Sequence, residues 1–243
     1  DTASDAVTIN IGGTAGGVSV ASIIPSTTYE TVTINSQGTT ANVLTAVGAV
    51  INNMTFTGAT ALTVSSTNNI TGVVDFTAST ANNVVTVTDT TAQTISFGSG
   101  ADTLTASGVV ASSETQIVNG GAGNDTLTAG NVAAGGTLTI NGDAGSDTIT
   151  YNAANTGASL HFVNGGAGID FITLGQHANT LDDVISTAEL TADADEVTGF
   201  VTTKDDFDYN GTVKNDAATT ITAVANATLA GGLTADANAT VYI

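Results

Sequence analysis

Apolar and polar residues alternate in short bursts along most of this chain. Between residues 126 and 174 the bursts are Leu138-Thr139-Ile140, Ile149-Thr150-Tyr151, Leu160-His161-Phe162 and Ile172-Thr173-Leu174. A period of two turns one face of each burst inward and its Thr residues outward, so each is predicted to be a short strand. The apolar anchors Leu127, Leu138, Ile149, Leu160 and Ile172 recur every 11 or 12 residues. Strands this short cannot bury themselves alone. Stacked coil upon coil they form parallel sheets whose inward residues share one core, so the pattern predicts an all-β chain, a β-solenoid.

A second periodicity overlies the first. The segments Phe97 to Leu104, Gly120 to Leu127, Gly142 to Ile149 and Gly165 to Ile172 align without gaps, and their aspartates Asp102, Asp125, Asp147 and Asp170 fall 23, 22 and 23 residues apart. Each unit therefore holds one strand entering and one strand leaving a Gly-Asp turn. The first 96 residues carry the same alternation without these turns, in Val7 to Ile11, Val32 to Ile34, Met54 to Phe56, Leu62 to Val64, Val85 to Val87 and Ile95 to Phe97. They are expected to be further coils that do not depend on a metal. Residues 12 to 29, with the single proline Pro25, are expected to be irregular. After Ile172 the period stops, and apolar residues at 181, 184, 185 and 188 predict a short helix running to Leu190. The chain thus divides into coils over 1–96, a Gly-Asp region over 97–175 and an acidic cap over 176–243. The last residues, Val241-Tyr242-Ile243, read as a strand of a chain that continues.

Composition narrows the chemistry. The chain has 22 Asp and Glu, 2 Lys and Arg (Lys204 and Lys214) and a formal net charge of -20. Nucleic acid is excluded as a partner, because binding it needs many cationic contacts to phosphate. No stretch reaches the apolar length of a membrane span, and no cysteine is available for a disulfide or thiolate site. Carboxylates with so few basic partners repel one another unless a hard cation neutralises them.

The turns supply suitable donors. In Gly-Gly-x-Gly-x-Asp-x-U-x, where U is a large apolar residue, glycines permit left-handed backbone and let carbonyls point at a cation, the aspartate adds a carboxylate, and U starts the next strand. Calcium takes six to eight oxygens, which two stacked turns can provide, so the ion is expected between coils. The candidate ligands are Gly98, Gly100 and Asp102 in the first turn, and Gly120, Gly121, Ala122, Gly123, Asn124 and Asp125 in the second. The third contributes Gly142, Asp143, Ala144, Gly145 and Asp147, and the fourth Gly165, Gly166, Ala167, Gly168 and Asp170. Phe97 stands where the first turn would have its first glycine, and Asp143 replaces the second glycine of the third turn.

These turns resemble the RTX (repeat-in-toxin) family of calcium β-rolls, and more specifically its bacterial surface-layer branch. Asn119 to Thr128 and Asn164 to Thr173 match the motif throughout. The resemblance implies a right-handed parallel β-solenoid or β-roll with several Ca²⁺ ions along one edge, since the turns at 131–136 and 152–158 lack the aspartate. It also implies a type I-secreted extracellular protein that assembles with copies of itself into a surface lattice, with an RTX adhesin or a calcium-binding stalk as the alternative. A cell-surface glycan or lipopolysaccharide is a further partner of that kind. The tail acids Asp193, Asp195, Glu196, Asp205, Asp206 and Asp208 are expected to hold calcium outside the repeat geometry, at contacts between copies.

Enzymatic readings lack the required groups. A calcium-dependent polysaccharide lyase on a stacked-coil fold needs basic residues for the proton and for an acidic sugar, and this chain has no arginine. His161 and His177 are the only imidazoles; His161 shares the phase of the outward Thr residues, so it is expected in solvent, and His177 is expected on a surface loop. Adjacent acids such as Asp182-Asp183 or Asp205-Asp206 read as solvated or calcium-binding.

Overall fold

Short alternating strands find their hydrogen-bond partners one coil away, and the computed structural model is built on that pairing throughout. It describes residues 6–13, 16–23, 31–47, 51–67, 70–88, 93–106, 108–151, 159–175, 181–186, 195–198, 206–209 and 241–242. One sheet holds β1 (Ala6–Ile11), β3 (Thr31–Ser36), β5 (Ile51–Thr57), β7 (Ile70–Asp75), β9 (Thr94–Ser96), β12 (Thr115–Asn119), β15 (Thr137–Asn141), β17 (Leu160–Asn164), β19 (Leu181–Ser186) and β21 (Asp206–Tyr209), stacked in that order. The second holds β2 (Ser19–Val20), β4 (Asn42–Leu44), β6 (Leu62–Val64), β8 (Val84–Val87), β10 (Thr103–Ala106), β13 (Thr126–Ala129), β16 (Thr148–Tyr151), β18 (Phe171–Thr173), β20 (Glu196–Thr198) and β22 (Val241–Tyr242). A small third pairing joins β11 (Val109–Val110) to β14 (Asn131–Val132). Both large sheets are parallel except where β22 pairs antiparallel with β20.

The protein is therefore a parallel β-solenoid, and its described residues contain no helix. In-register pairing sets each residue on its counterpart in the next coil. Leu104, Leu127, Ile149, Ile172 and Val197 form one inward column, all buried. Outside it, Thr86, Thr105, Thr128, Thr150, Thr173 and Thr198 form an unbroken rank. The neighbouring rank, Thr103, Thr126 and Thr148, ends at the exposed Phe171. Large side chains fill the N-terminal interior, where the Phe56 and Phe76 rings stack with centroids 4.2 Å apart and Phe97 follows at 5.4 Å.

Several expectations change. The helix over 181–190 is wrong where it can be judged: Leu181–Ser186 is strand β19, held in register by β17 on one side and β21 on the other. Apolar spacing fits a helix there, but an open strand edge offers the segment a full set of backbone partners, and that tertiary template outweighs local pattern. His161 is fully buried, not solvated. The register pairs it with Leu138 and leaves Leu160 opposite Thr137, so Leu160 is 44% exposed and is not a core anchor. His161 stacks against Tyr151 at 5.0 Å, with Ser159 Oγ 3.4 Å from Nε2. Residues 12–29 are not wholly irregular, because Ser19–Val20 pairs with β4. Strands β4 and β7 form where the alternation predicts none, and the six predicted N-terminal bursts all fall on strands, with Phe97 just past the end of β9. His177 and the predicted turn at 152–158 lie outside the described residues.

Phe76 lies between two rings with no exposed surface. Phe76→Ala should cost about 3–5 kcal/mol in a urea unfolding experiment, by leaving a cavity that its stacked neighbours cannot close.

Candidate calcium turns

The turns that enter the second sheet stack as strictly as the strands do. The N–H of Ala122 donates to Gly98 O at 2.7 Å, that of Ala144 to Gly121 O at 2.9 Å and that of Ala167 to Asp143 O at 2.7 Å. This close approach is what the glycines permit. A Cβ on Gly123 would lie 2.3 Å from Gly100 O, and one on Gly145 would lie 1.9 Å from Gly123 O, at backbone φ angles of +128° and +135° that side chains rarely adopt. Asp143 nevertheless takes a φ of +72°, and its Oδ2 accepts the Gly121 N–H of the preceding coil at 3.2 Å, an inter-coil bond that helps offset the strain. Asn124 Oδ1 similarly accepts the N–H of Ser146 at 2.9 Å.

All four repeat aspartates fall on one buried column, immediately before the second-sheet strands. They form a directional ladder in which each carboxylate accepts the backbone N–H of its counterpart one coil earlier. Asp125 Oδ1 takes the Asp102 N–H at 2.7 Å, Asp147 Oδ1 that of Asp125 at 2.7 Å, and Asp170 Oδ1 that of Asp147 at 2.8 Å. Asp195 extends it, accepting the Asp170 N–H at 2.9 Å. Asp195 is thus a buried member of the repeat column, which corrects its assignment to an acidic tail outside the repeat geometry. Glu196 lies on β20, Asp206 and Asp208 lie on β21, and Asp193 and Asp205 lie outside the described residues.

The second carboxylate oxygen has a different fate. Oδ2 of Asp125 and Oδ2 of Asp147 are buried without a hydrogen-bond partner. Each packs against the first glycine of its own turn, where a Cβ on Gly120 would be 2.6 Å from Asp125 Oδ2 and one on Gly142 would be 2.3 Å from Asp147 Oδ2. Burial pushes both carboxyls up to about 7, and the facing carboxylates of the column and of Asp143 push the same way, against the lowering effect of the backbone N–H bond. Asp102 is also raised by burial, while its bonds from Asn83 hold it down.

A buried anionic oxygen beside turn carbonyls, with no donor, fits a hard cation. No group of three or more His, Asp or Glu side chains gathers among the described residues, so a site here must draw on carbonyls with one carboxylate per turn. That donor set is oxygen-only, which suits calcium. Asp102, Asp125, Asp147 and Asp170, with carbonyls of the turns around them, are the residues that would hold it.

Comparison with known sequences agrees with this geometry. The family profile of the RTX calcium-binding nonapeptide repeat (4 copies) matches residues 112–131, 139–155 and 162–182. Comparisons with curated proteins and with solved structures give no significant match. The chain therefore carries RTX calcium-binding nonapeptide repeats.

Two outcomes are expected. An unfolded aspartate titrates near about 3.9, and Asp125 and Asp147 titrate at about 7 when folded without metal. The folded state binds more protons between those values, so chelated protein should lose stability as pH rises from roughly 4 through 7. Melting curves across that range should show the decline in chelator and a much flatter profile with calcium. Gly142→Ala should destabilise by about 1–3 kcal/mol in calcium, because its Cβ must displace both Asp147 and the Gly165 carbonyl.

Proposed function

We propose that this chain is a structural, calcium-locked segment of a secreted bacterial surface protein, and that its role is to assemble with copies of itself into a surface-layer lattice. The observation that carries the reading is the buried aspartate column. Cation binding to the stacked state alone would stabilise it by mass action, so the repeat coils are loose where calcium is scarce and lock where it is plentiful. Affinity in the extracellular range, roughly 10⁻⁴ to 10⁻³ M, suits such a switch. About one ion per pair of adjacent turns gives roughly three ions, or four with Asp195.

Assembly follows from charge. Copies with a net charge of -20 repel at contact unless divalent ions neutralise or bridge facing carboxylates. Glu196, Asp206 and Asp208, with Asp193 and Asp205, are the acids assigned to that second use. The boundaries at residues 96 and 175 then separate metal-independent coils, locking coils and a cap. No described helix is long and apolar enough to cross a membrane. A monomeric RTX adhesin, or a calcium-binding stalk of a larger protein, uses the same column without the lattice.

Full-length protein titrated with calcium through the millimolar range should gain β-structure by circular dichroism and then form sheets visible by electron microscopy. Gain of structure without assembly at high concentration would replace the lattice with the adhesin or stalk. Structure indifferent to chelator would sink the calcium lock itself.

A further inference from the structure

The aspartate column does not begin at Asp102. Its register continues upstream through Asn83, Leu62 and Asn42. Asn83 and Asn42 are as buried as the aspartates, and their side-chain oxygen does the same work. Asn83 Oδ1 accepts the Leu62 N–H at 3.2 Å, and Asn42 Oδ1 accepts the Val18 N–H at 2.8 Å.

With the oxygen so committed, the second side-chain atom falls on the inner side of its own turn. In the asparagines that atom is a donor. Asn42 Nδ2 bonds Gln37 O and Ser36 Oγ, both at 2.9 Å, and Asn83 Nδ2 bonds Ala81 O at 2.8 Å and Ser79 Oγ at 3.1 Å. In Asp125 and Asp147 the atom in that place is an acceptor with no donor to meet. Amide and aspartate-plus-cation are thus two solutions to one problem, which is how to satisfy turn oxygens that face inward.

We infer that, wherever this column position is polar, its residue decides whether the turn is closed by its own amide or by a bound cation, and that Asn42 and Asn83 make the N-terminal coils a metal-independent template for the rest. Asp102 is the changeover rung. Its Oδ1 receives both the Asn83 N–H at 2.6 Å and Asn83 Nδ2 at 3.0 Å, so the last amide-closed turn holds the first carboxylate in place. The inference rests on calcium being the ligand of the aspartate turns.

Hydrogen exchange in chelator and in millimolar calcium, with bound calcium counted by atomic emission after dialysis, tests it on the whole chain. In chelator, wild type should stay protected in strands before Asp102 and lose protection beyond it. Asn83→Asp removes the amide donor and adds a carboxylate, so the boundary should move upstream by a coil in chelator and return with calcium. Asp147→Asn should bind one ion fewer than wild type and, in chelator, gain protection around its turn. Asp147→Ala should lose the ion without that gain, which separates amide donation from loss of charge.

Equal protection in Asp147→Asn and Asp147→Ala, or an unmoved boundary in Asn83→Asp, overturns the inference. Wild type that binds no calcium sinks the proposed function instead. Asn83→Asp then still reports on the amide: lost protection of its coil supports the closure role, and unchanged protection removes it.

Discussion

Parallel stacking in register sets like upon like. A residue in one coil has its own counterpart above and below, about 4.8 Å away by ordinary strand spacing. For Leu or Val that repetition is favourable, and for Asn it can be self-satisfying, as where Asn141 Nδ2 donates to Asn119 Oδ1 at 2.8 Å. For a carboxylate it is repulsive. The repeat coils depend on how this constraint is met, because Asp102, Asp125, Asp147 and Asp170 are placed in a column with almost no exposed surface and the chain offers only 2 Lys and Arg side chains to oppose its acids. The backbone N–H ladder answers for one oxygen of each carboxylate, and in Asp125 and Asp147 the other must be answered from outside the chain or by a proton.

Room for that second oxygen comes from a change in the neighbouring column. The stack Phe76 and Phe97 is continued by Gly120, Gly142 and Gly165, as the inter-coil bonds Phe76 N–H to Ser96 O, Phe97 N–H to Asn119 O and Gly120 N–H to Asn141 O make plain. Where rings fill the interior, the turns that follow are closed by Asn83 or lead to Asp102; where glycine opens it, Oδ2 of the next aspartate moves in. Hydrophobic filling and ionic filling are therefore alternatives along one solenoid. They have different requirements: the first needs only water to drive it, and the second needs a cation or a proton at the second oxygen when the coil closes.

Much of this was legible beforehand. The 22- or 23-residue spacing of the aspartates reappears as the sequence separation of the ladder bonds, and the two-residue alternation gave most strands. The failures share a cause. Period and residue type do not fix register, so the sequence pattern sets Leu160 inside and His161 outside, and the pairing of Leu138 with His161 reverses both. Leu181 to Ser186 shows helical spacing only if the waiting edge of β17 is unseen. Asp195 and Asn83 escaped because the loops before them vary in length, which hides a shared column from any gap-free alignment. The signal that would have found them is positional: a buried-type polar residue directly before Glu196 and Val84, where the strands begin, as Asp102 is before Thr103.

The ladder also has a direction, and that shapes how coils depend on one another. Each acceptor belongs to the later coil and each donor to the earlier one, so a coil's amide at this column is satisfied only when the next coil is in place. Where the later coil offers no oxygen the backbone finds another route: Leu62 cannot accept, and the Asn42 N–H goes to Ala61 O at 2.9 Å. An apolar rung thus interrupts the side-chain ladder without leaving an orphan. Downstream of Asn83 no such interruption occurs as far as Asp195, so the repeat coils form one linked series in which every turn supports the one before it. A cation shared between adjacent turns would act across the same junctions as these bonds, and its binding and coil closure would then be a single cooperative event.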